Sequence, residues 1–147
     1  MEKKIYDNKK DIFYTELSKI SILDEYRFQF IKLDVDIFSK NKVEYKLIFY
    51  NLKNREISIN LFEDSIYVVI FNTSRKESFL LENWLEENDI NKSEKFLLEK
   101  YKGTFLEQIL GFKNVLEEFL KNKKLKEILC ENYWWKERVD EKFTFIR

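Results

Sequence analysis

VEYKLIFYNLKNREISINLFEDSIYVVIF, residues Val43–Phe71, decides the fold. Its spacing predicts three strands, Val43–Tyr50, Ile57–Phe62 and Ile66–Phe71, joined by short polar turns into an antiparallel meander. In the first, Val43, Tyr45, Leu47 and Phe49 take alternate positions, beginning with Glu44 and Lys46 between them. In the second, Ile57, Ile59 and Leu61 alternate with Ser58 and Asn60. A period of two gathers the apolar side chains on one face of a sheet, and that face requires a cover. The third strand is apolar at both parities, with Ile66, Val68 and Ile70 on one side and Tyr67, Val69 and Phe71 on the other. A strand buried on both faces reads that way.

Towards the N-terminus, residues 8–22 read as a helix. Asp7 or Asn8 caps it, and Ile12, Phe13, Leu17 and Ile20 form its docking face. Residues 26–38 alternate, but the apolar parity flips near Ile31: Phe28 and Phe30 before it, then Leu33, Val35 and Ile37 after it. One extra residue in a β-bulge swaps the faces in this way, and so do two shorter strands. Ser39–Lys42 makes the turn into the Val43 strand.

Beyond Asn72 the period becomes helical. Ser74–Glu77 has capping-box form and predicts a helix through Phe79, Leu80, Leu81, Trp84 and Leu85, ending near Asn88. Ser93 caps a short helix over 94–102 that stops at Gly103. Thr104–Glu107 is a second capping box, opening a helix over about 105–121 with Phe105, Ile109, Phe112, Leu116 and Phe119 in one stripe. Gly111 inside that helix costs about 1 kcal/mol relative to Ala, which points to tight packing against a neighbour. A last helix, about 123–131, carries Leu125, Ile128 and Leu129, and the tail Lys142–Arg147 returns as an edge strand. The expected fold is α+β: an antiparallel β-meander of four to five strands following an N-terminal helix and covered by three to four C-terminal helices. A mixed sheet that includes the tail strand is the alternative. No linker or repeat interrupts residues 1–147, which read as a single domain.

Composition narrows the chemistry. A chain of 147 residues buries roughly 70% of its unfolded surface. With 44% apolar and 17% aromatic residues it has the material for a core. Lys and Arg number 27 against 27 Asp and Glu, so the basic excess of a general nucleic-acid binder is missing. There is no His and a single Cys, Cys130. That removes Ser–His and Cys–His dyads, His-ligated metals and Cys-rich zinc sites. Two distant glycines, Gly103 and Gly111, build no phosphate-cradling loop. The expectation is no catalytic residue, no metal and no cofactor. A lone cysteine fits a reducing compartment. The N-terminus lacks the apolar core of a signal peptide and no run approaches the ~20 apolar residues of a membrane span, so the expected location is the cytoplasm. Richness in Lys, Asn, Ile, Phe and Tyr without Ala or Pro is what AT-rich codons give, as in a low-GC bacterium or its phage.

Three constellations stand out. Between Glu77 and Ile90 lie five acids and no base. On a helix Glu82, Glu86 and Asp89 fall in one stripe, with Glu87 beside it, opposite Leu81, Trp84 and Leu85. Stacked like charges repel, and a basic partner relieves the repulsion and is steered in by it. The plain reading is a solvated helix face. Lys121, Lys123, Lys124 and Lys126 form an opposite patch that suits a helix end. Second, Tyr133-Trp134-Trp135-Lys136 with Arg138 places two adjacent tryptophans, one packing on the core and the other free to anchor an interface. The plain reading is an aromatic plug. Third, Asp34 and Asp36 share a strand face and precede Glu44-Tyr45-Lys46. An Asp followed by Glu-x-Lys across a hairpin resembles the Mg²⁺-dependent nuclease pattern of the restriction-endonuclease core, with Glu16 as a further acid. The plain reading is cross-strand charge pairing on a solvated face.

The overall layout, small and α+β with an acidic face, resembles bacterial immunity proteins that neutralise a cognate toxin by occluding it. The resemblance implies a non-catalytic protein-binding protein with a basic toxin or enzyme as partner. Glu82, Glu86, Glu87, Asp89, Trp134 and Trp135 are the candidate contacts, and neither membrane nor nucleic acid is an expected partner. A phage-encoded inhibitor of a host defence enzyme would leave the same traces, and the Mg²⁺-dependent nuclease stands as the catalytic alternative.

Overall fold

The computed structural model describes residues 2–88, 96–131 and 133–134, with side chains from Asn8 onward. Two helices, α1 (Glu2–Leu17) and α2 (Ser21–Glu25), lead into five strands, β1 (Gln29–Ser39), β2 (Lys42–Asn51), β3 (Arg55–Phe62), β4 (Ser65–Asn72) and β5 (Glu77–Leu80). Helix α3 (Leu81–Glu87), a 3-10 turn (Leu98–Lys100), α4 (Phe105–Leu120) and α5 (Lys123–Cys130) follow. The strands form one antiparallel meander in the order β1-β2-β3-β4-β5. The α+β layout read from the sequence is therefore the observed one.

The expected helix over 8–22 is two helices instead. α1 already runs from Glu2, so Asp7 and Asn8 lie inside it. It ends at Leu17, and Ile20, in an extended conformation (φ −117°, ψ 114°), redirects the chain into α2. The turn delivers Ile20, Ile22, Leu23 and Tyr26 to the core together. Arg27 then takes a left-handed φ of 65°, and the Phe28 N–H donates to Leu23 O at 2.9 Å, closing α2 and launching β1.

The parity flip is a bulge. Phe30 faces Phe49 and Lys32 faces Ile48, which leaves Ile31 without an opposite residue. A second irregularity falls between Ile37 and Ser39. Across the sheet Tyr45, Leu47, Phe49, Ile57, Ile59, Leu61, Ile66, Val68, Ile70 and Phe79 are buried in the core, together with Phe13 and Leu17 of α1 and Ile109, Phe112 and Leu116 of α4. α1 packs on α4 and β2, and α3 on β4 and β5.

The expected helix from Ser74 is corrected. Asn72 Oδ1 accepts from the Ser74 hydroxyl at 2.9 Å and from the Arg75 N–H at 3.2 Å, and Lys76 turns left-handed at φ 57°. The chain doubles back, and Glu77–Leu80 pairs with Val69–Asn72. The open backbone edge of β4 offers a ladder, and pairing there overrides the local helical pattern. Only from Leu81 does the helix begin. The second capping box is present as read. The Thr104 N–H donates to Glu107 Oε1 at 2.7 Å and the Glu107 N–H to Thr104 Oγ1 at 3.2 Å. The tail strand expected over Lys142–Arg147 and the cap at Ser93 lie outside the described residues.

Candidate functional site

The acidic helix is only partly a surface. α3 is held by Leu81, Trp84 and Leu85, all buried. Glu86 and Glu87 are exposed, but Glu82 is half-buried with its Oε1 unpartnered among protein groups. Burial raises the Glu82 carboxyl above its usual range, and Glu86 adds to the rise; hydrogen bonds from the backbone of Glu82 and Val68 oppose it. Asp89 and Trp135 lie outside the described residues. Trp134 is the inward tryptophan. It is fully buried, stacks at a tilt on Phe79 at 5.3 Å and donates its indole N–H to Glu77 Oε1 at 2.8 Å. The guanidinium of Arg55 lies 5.1 Å from its ring centre. Trp134 therefore plugs the core.

Register brings the carboxylate–lysine group together. Asp34 faces Lys46 and Asp36 faces Glu44 on the β1–β2 ladder. Glu44 is buried and its carboxylate accepts the Tyr67 hydroxyl from two strands away. Among the described residues, however, no three acidic or cysteine side chains converge in a way that could hold a metal ion. The nuclease-like pattern is here a row of charges across a sheet.

That row belongs to a surface that local reading did not single out: the sheet's second face. It carries Ile48 and Tyr50 from β2, Glu56, Ser58, Asn60 and Phe62 from β3, and Tyr67, Val69 and Phe71 from β4. Ile48, Phe62, Val69 and Phe71 are half-buried and outside the core cluster, while Glu44, Ser58 and Asn60 on the same face are buried. Phe62 meets Phe38 edge to face at 5.6 Å. Carboxylates are set among these rings. Burial raises Glu56, with Lys46 and Lys32 opposing. Burial also raises Tyr67, reinforced by its bond to Glu44 and by the charges of Glu44 and Asp36. At the centre Asn60 is fully buried; its amide donates to Ser58 O at 3.1 Å, Ser58 Oγ at 2.9 Å and Tyr67 O at 3.2 Å. Its Oδ1 has no partner. The signal was in the sequence: Tyr67, Val69 and Phe71 make the second parity of β4 apolar.

Two open clefts flank the sheet. One of about 490 Å³ runs along Tyr26, Arg27, Leu52, Lys53, Lys126 and Cys130. Burial raises the Cys130 thiol, with Lys126 partly opposing, a shift away from the reactive thiolate. The other, about 410 Å³, is lined by Lys9, Val43, Tyr45, Leu61, Glu63 and Asp64, among others. No described helix is long and apolar enough to cross a membrane. Comparison with protein-family models, curated proteins and solved structures gives no match.

Proposed function

We propose that this protein acts by binding another protein, as an immunity-type inhibitor that occludes a basic toxin or enzyme. The observation that carries the reading is the second sheet face. It sets Tyr50, Phe62, Tyr67 and Phe71 among Asp34, Asp36, Glu44 and Glu56 on a rigid five-stranded sheet, outside the core. Aromatic anchors on a pre-ordered surface supply most of the energy of an interface, and the interspersed carboxylates suit a basic partner. Glu86 and Glu87, exposed near the opposite edge of the sheet from β1, contribute long-range attraction.

The test takes the products of the two flanking genes as probes. Titration calorimetry of the full chain with each is expected to reveal one complex, weakened by salt. Phe71→Lys is expected to weaken it by about thirtyfold, as loss of an aromatic anchor worth about 2 kcal/mol does. Glu86→Lys with Glu87→Lys is expected to slow association and leave dissociation nearly unchanged. Absence of binding to either product discards the immunity reading. Mg²⁺-dependent plasmid cleavage by the pure chain, lost in Glu44→Ala, replaces it with the nuclease.

A further inference from the structure

We propose that β1 is a self-association edge, taking the β1 strand of a second copy in antiparallel pairing about a two-fold axis at Asp34. The inference does not rest on the proposed function, although Asp34, Asp36 and Glu44 border both surfaces.

β1 is an edge strand of 11 residues. Its outer backbone groups have no strand partner among the described residues. Of the nine large apolar side chains exposed among those residues, four lie on β1: Ile31, Val35, Ile37 and Phe38. Ile37 is 74% exposed. β1 thus carries more of this exposed apolar surface than any other element, along a backbone ladder that is also left open, which is how a sheet edge accepts another strand.

Register arithmetic identifies the occupant. The two irregularities, at Ile31 and at Phe38, bracket a regular stretch from Lys32 to Ile37. Pairing that stretch with its own copy about Asp34 sets each Lys32 opposite the Asp36 of the other copy. On the reverse face it sets each Leu33 opposite the other Val35. Like charges directly opposite one another destabilise a ladder, and the single chain has such a pair in Asp36 and Glu44. Neither has an ion-pair partner among the described residues. The incoming Lys32 supplies a cation opposite Asp36. The two Asp34 side chains meet at the axis, where each already faces Lys46 across the ladder and has its own Lys32 at 3.7 Å. One face therefore gains two Lys32–Asp36 pairs flanking the Asp34 axis and the other pairs apolar side chains under the same operation, the signature of an isologous contact. The flanking irregularities end the pairing on both sides, so the contact closes as a dimer and does not propagate.

The experiment measures the mass of the full chain in solution by sedimentation velocity through a dilution series. The expected species is a dimer that dissociates on dilution. Lys32→Asp alone and Asp36→Lys alone are each expected to raise the dissociation constant roughly tenfold or more, since each places like charges together twice. The double variant Lys32→Asp with Asp36→Lys restores opposite charges and is expected to return the constant to near its original value. All these side chains are on an exposed strand, and circular dichroism confirms folding. A monomer at every concentration overturns the proposal. So does a dimer indifferent to the single reversals, or a double variant no tighter than either single one.

Discussion

Tyr101 fills the space that a side chain at position 111 would need. A Cβ on Gly111 would stand 2.6 Å from Tyr101 Cδ1 and 3.2 Å from Cε1. Helix propensity favours Ala by about 1 kcal/mol, but overpacking costs about 1–3 kcal/mol. Gly111→Ala is therefore expected to lower the urea midpoint in the wild-type background and to raise it beside Tyr101→Ala, a reversal of sign that a double-mutant cycle reads directly. Glu82 makes the second residue-scale prediction. Its folded pKa is raised by burial from the ordinary 4.5. Between the unfolded and the folded pKa the native state holds the proton more tightly, so stability falls as pH rises through that window and the loss is complete above it. Glu82→Gln removes the ionisation. The expected result is a higher melting temperature at neutral pH and no advantage below the unfolded pKa, checked by thermal melts across pH.

At the scale of elements, the β2–β3 turn clamps the end of α5. Arg55 is buried; its Nε donates to Ile128 O at 2.7 Å, and its Nη2 to Glu131 O at 3.2 Å and Tyr133 O at 3.1 Å. Asn51 adds a bond from its amide to Leu129 O at 2.9 Å. A guanidinium at a helix C-terminus satisfies carbonyls that have no intrahelical donor and meets the negative end of the dipole. Arg55→Ala strands those carbonyls and is expected to cost about 3 kcal/mol. Hydrogen exchange is expected to show α5 opening ahead of the sheet. Tyr26 does the same for α4, its hydroxyl donating to Leu120 O at 2.7 Å while burial pushes its pKa up to about 12. At the other end of α4, Thr104→Ala removes the capping box and is expected to cost about 1 kcal/mol by chemical denaturation.

At the scale of the molecule the sheet is two-sided in different senses. One face is the core and the other, with Phe62, Tyr67, Val69 and Phe71, lies outside it. A lysine at Val68 on the core face places a charge among apolar groups and is expected to prevent folding. A lysine at the half-buried Phe71, outside the core cluster, is expected to cost about 1 kcal/mol and to leave the chain folded. Denaturant titration of the pair separates the two faces, and the folded Phe71→Lys chain is the reagent for the binding test. The acidic helix and the β1 edge stand at opposite edges of the five strands, roughly 19 Å apart at the usual strand spacing. An ordinary interface is wide enough to reach both, so a partner covering the outer face would meet Asp34 and Asp36 as well as Glu86 and Glu87.

What the sequence determined by itself was what short-range periodicity encodes: the meander from Val43 to Phe71, the break in parity near Ile31 and the capped helix after Thr104. Each depends on neighbours a few residues away, so each was legible. Tertiary structure alone decided that Glu77–Leu80 is a strand, because the open edge of β4 is a partner no local pattern records. It also decided that Trp134 is buried, since Phe79, Glu77 and Arg55 meet it from other parts of the chain. And it decided where the acids sit. Burial turned Glu82 inward, while long-range register gathered Asp34, Asp36 and Glu44 among the aromatic rings of the sheet's outer face.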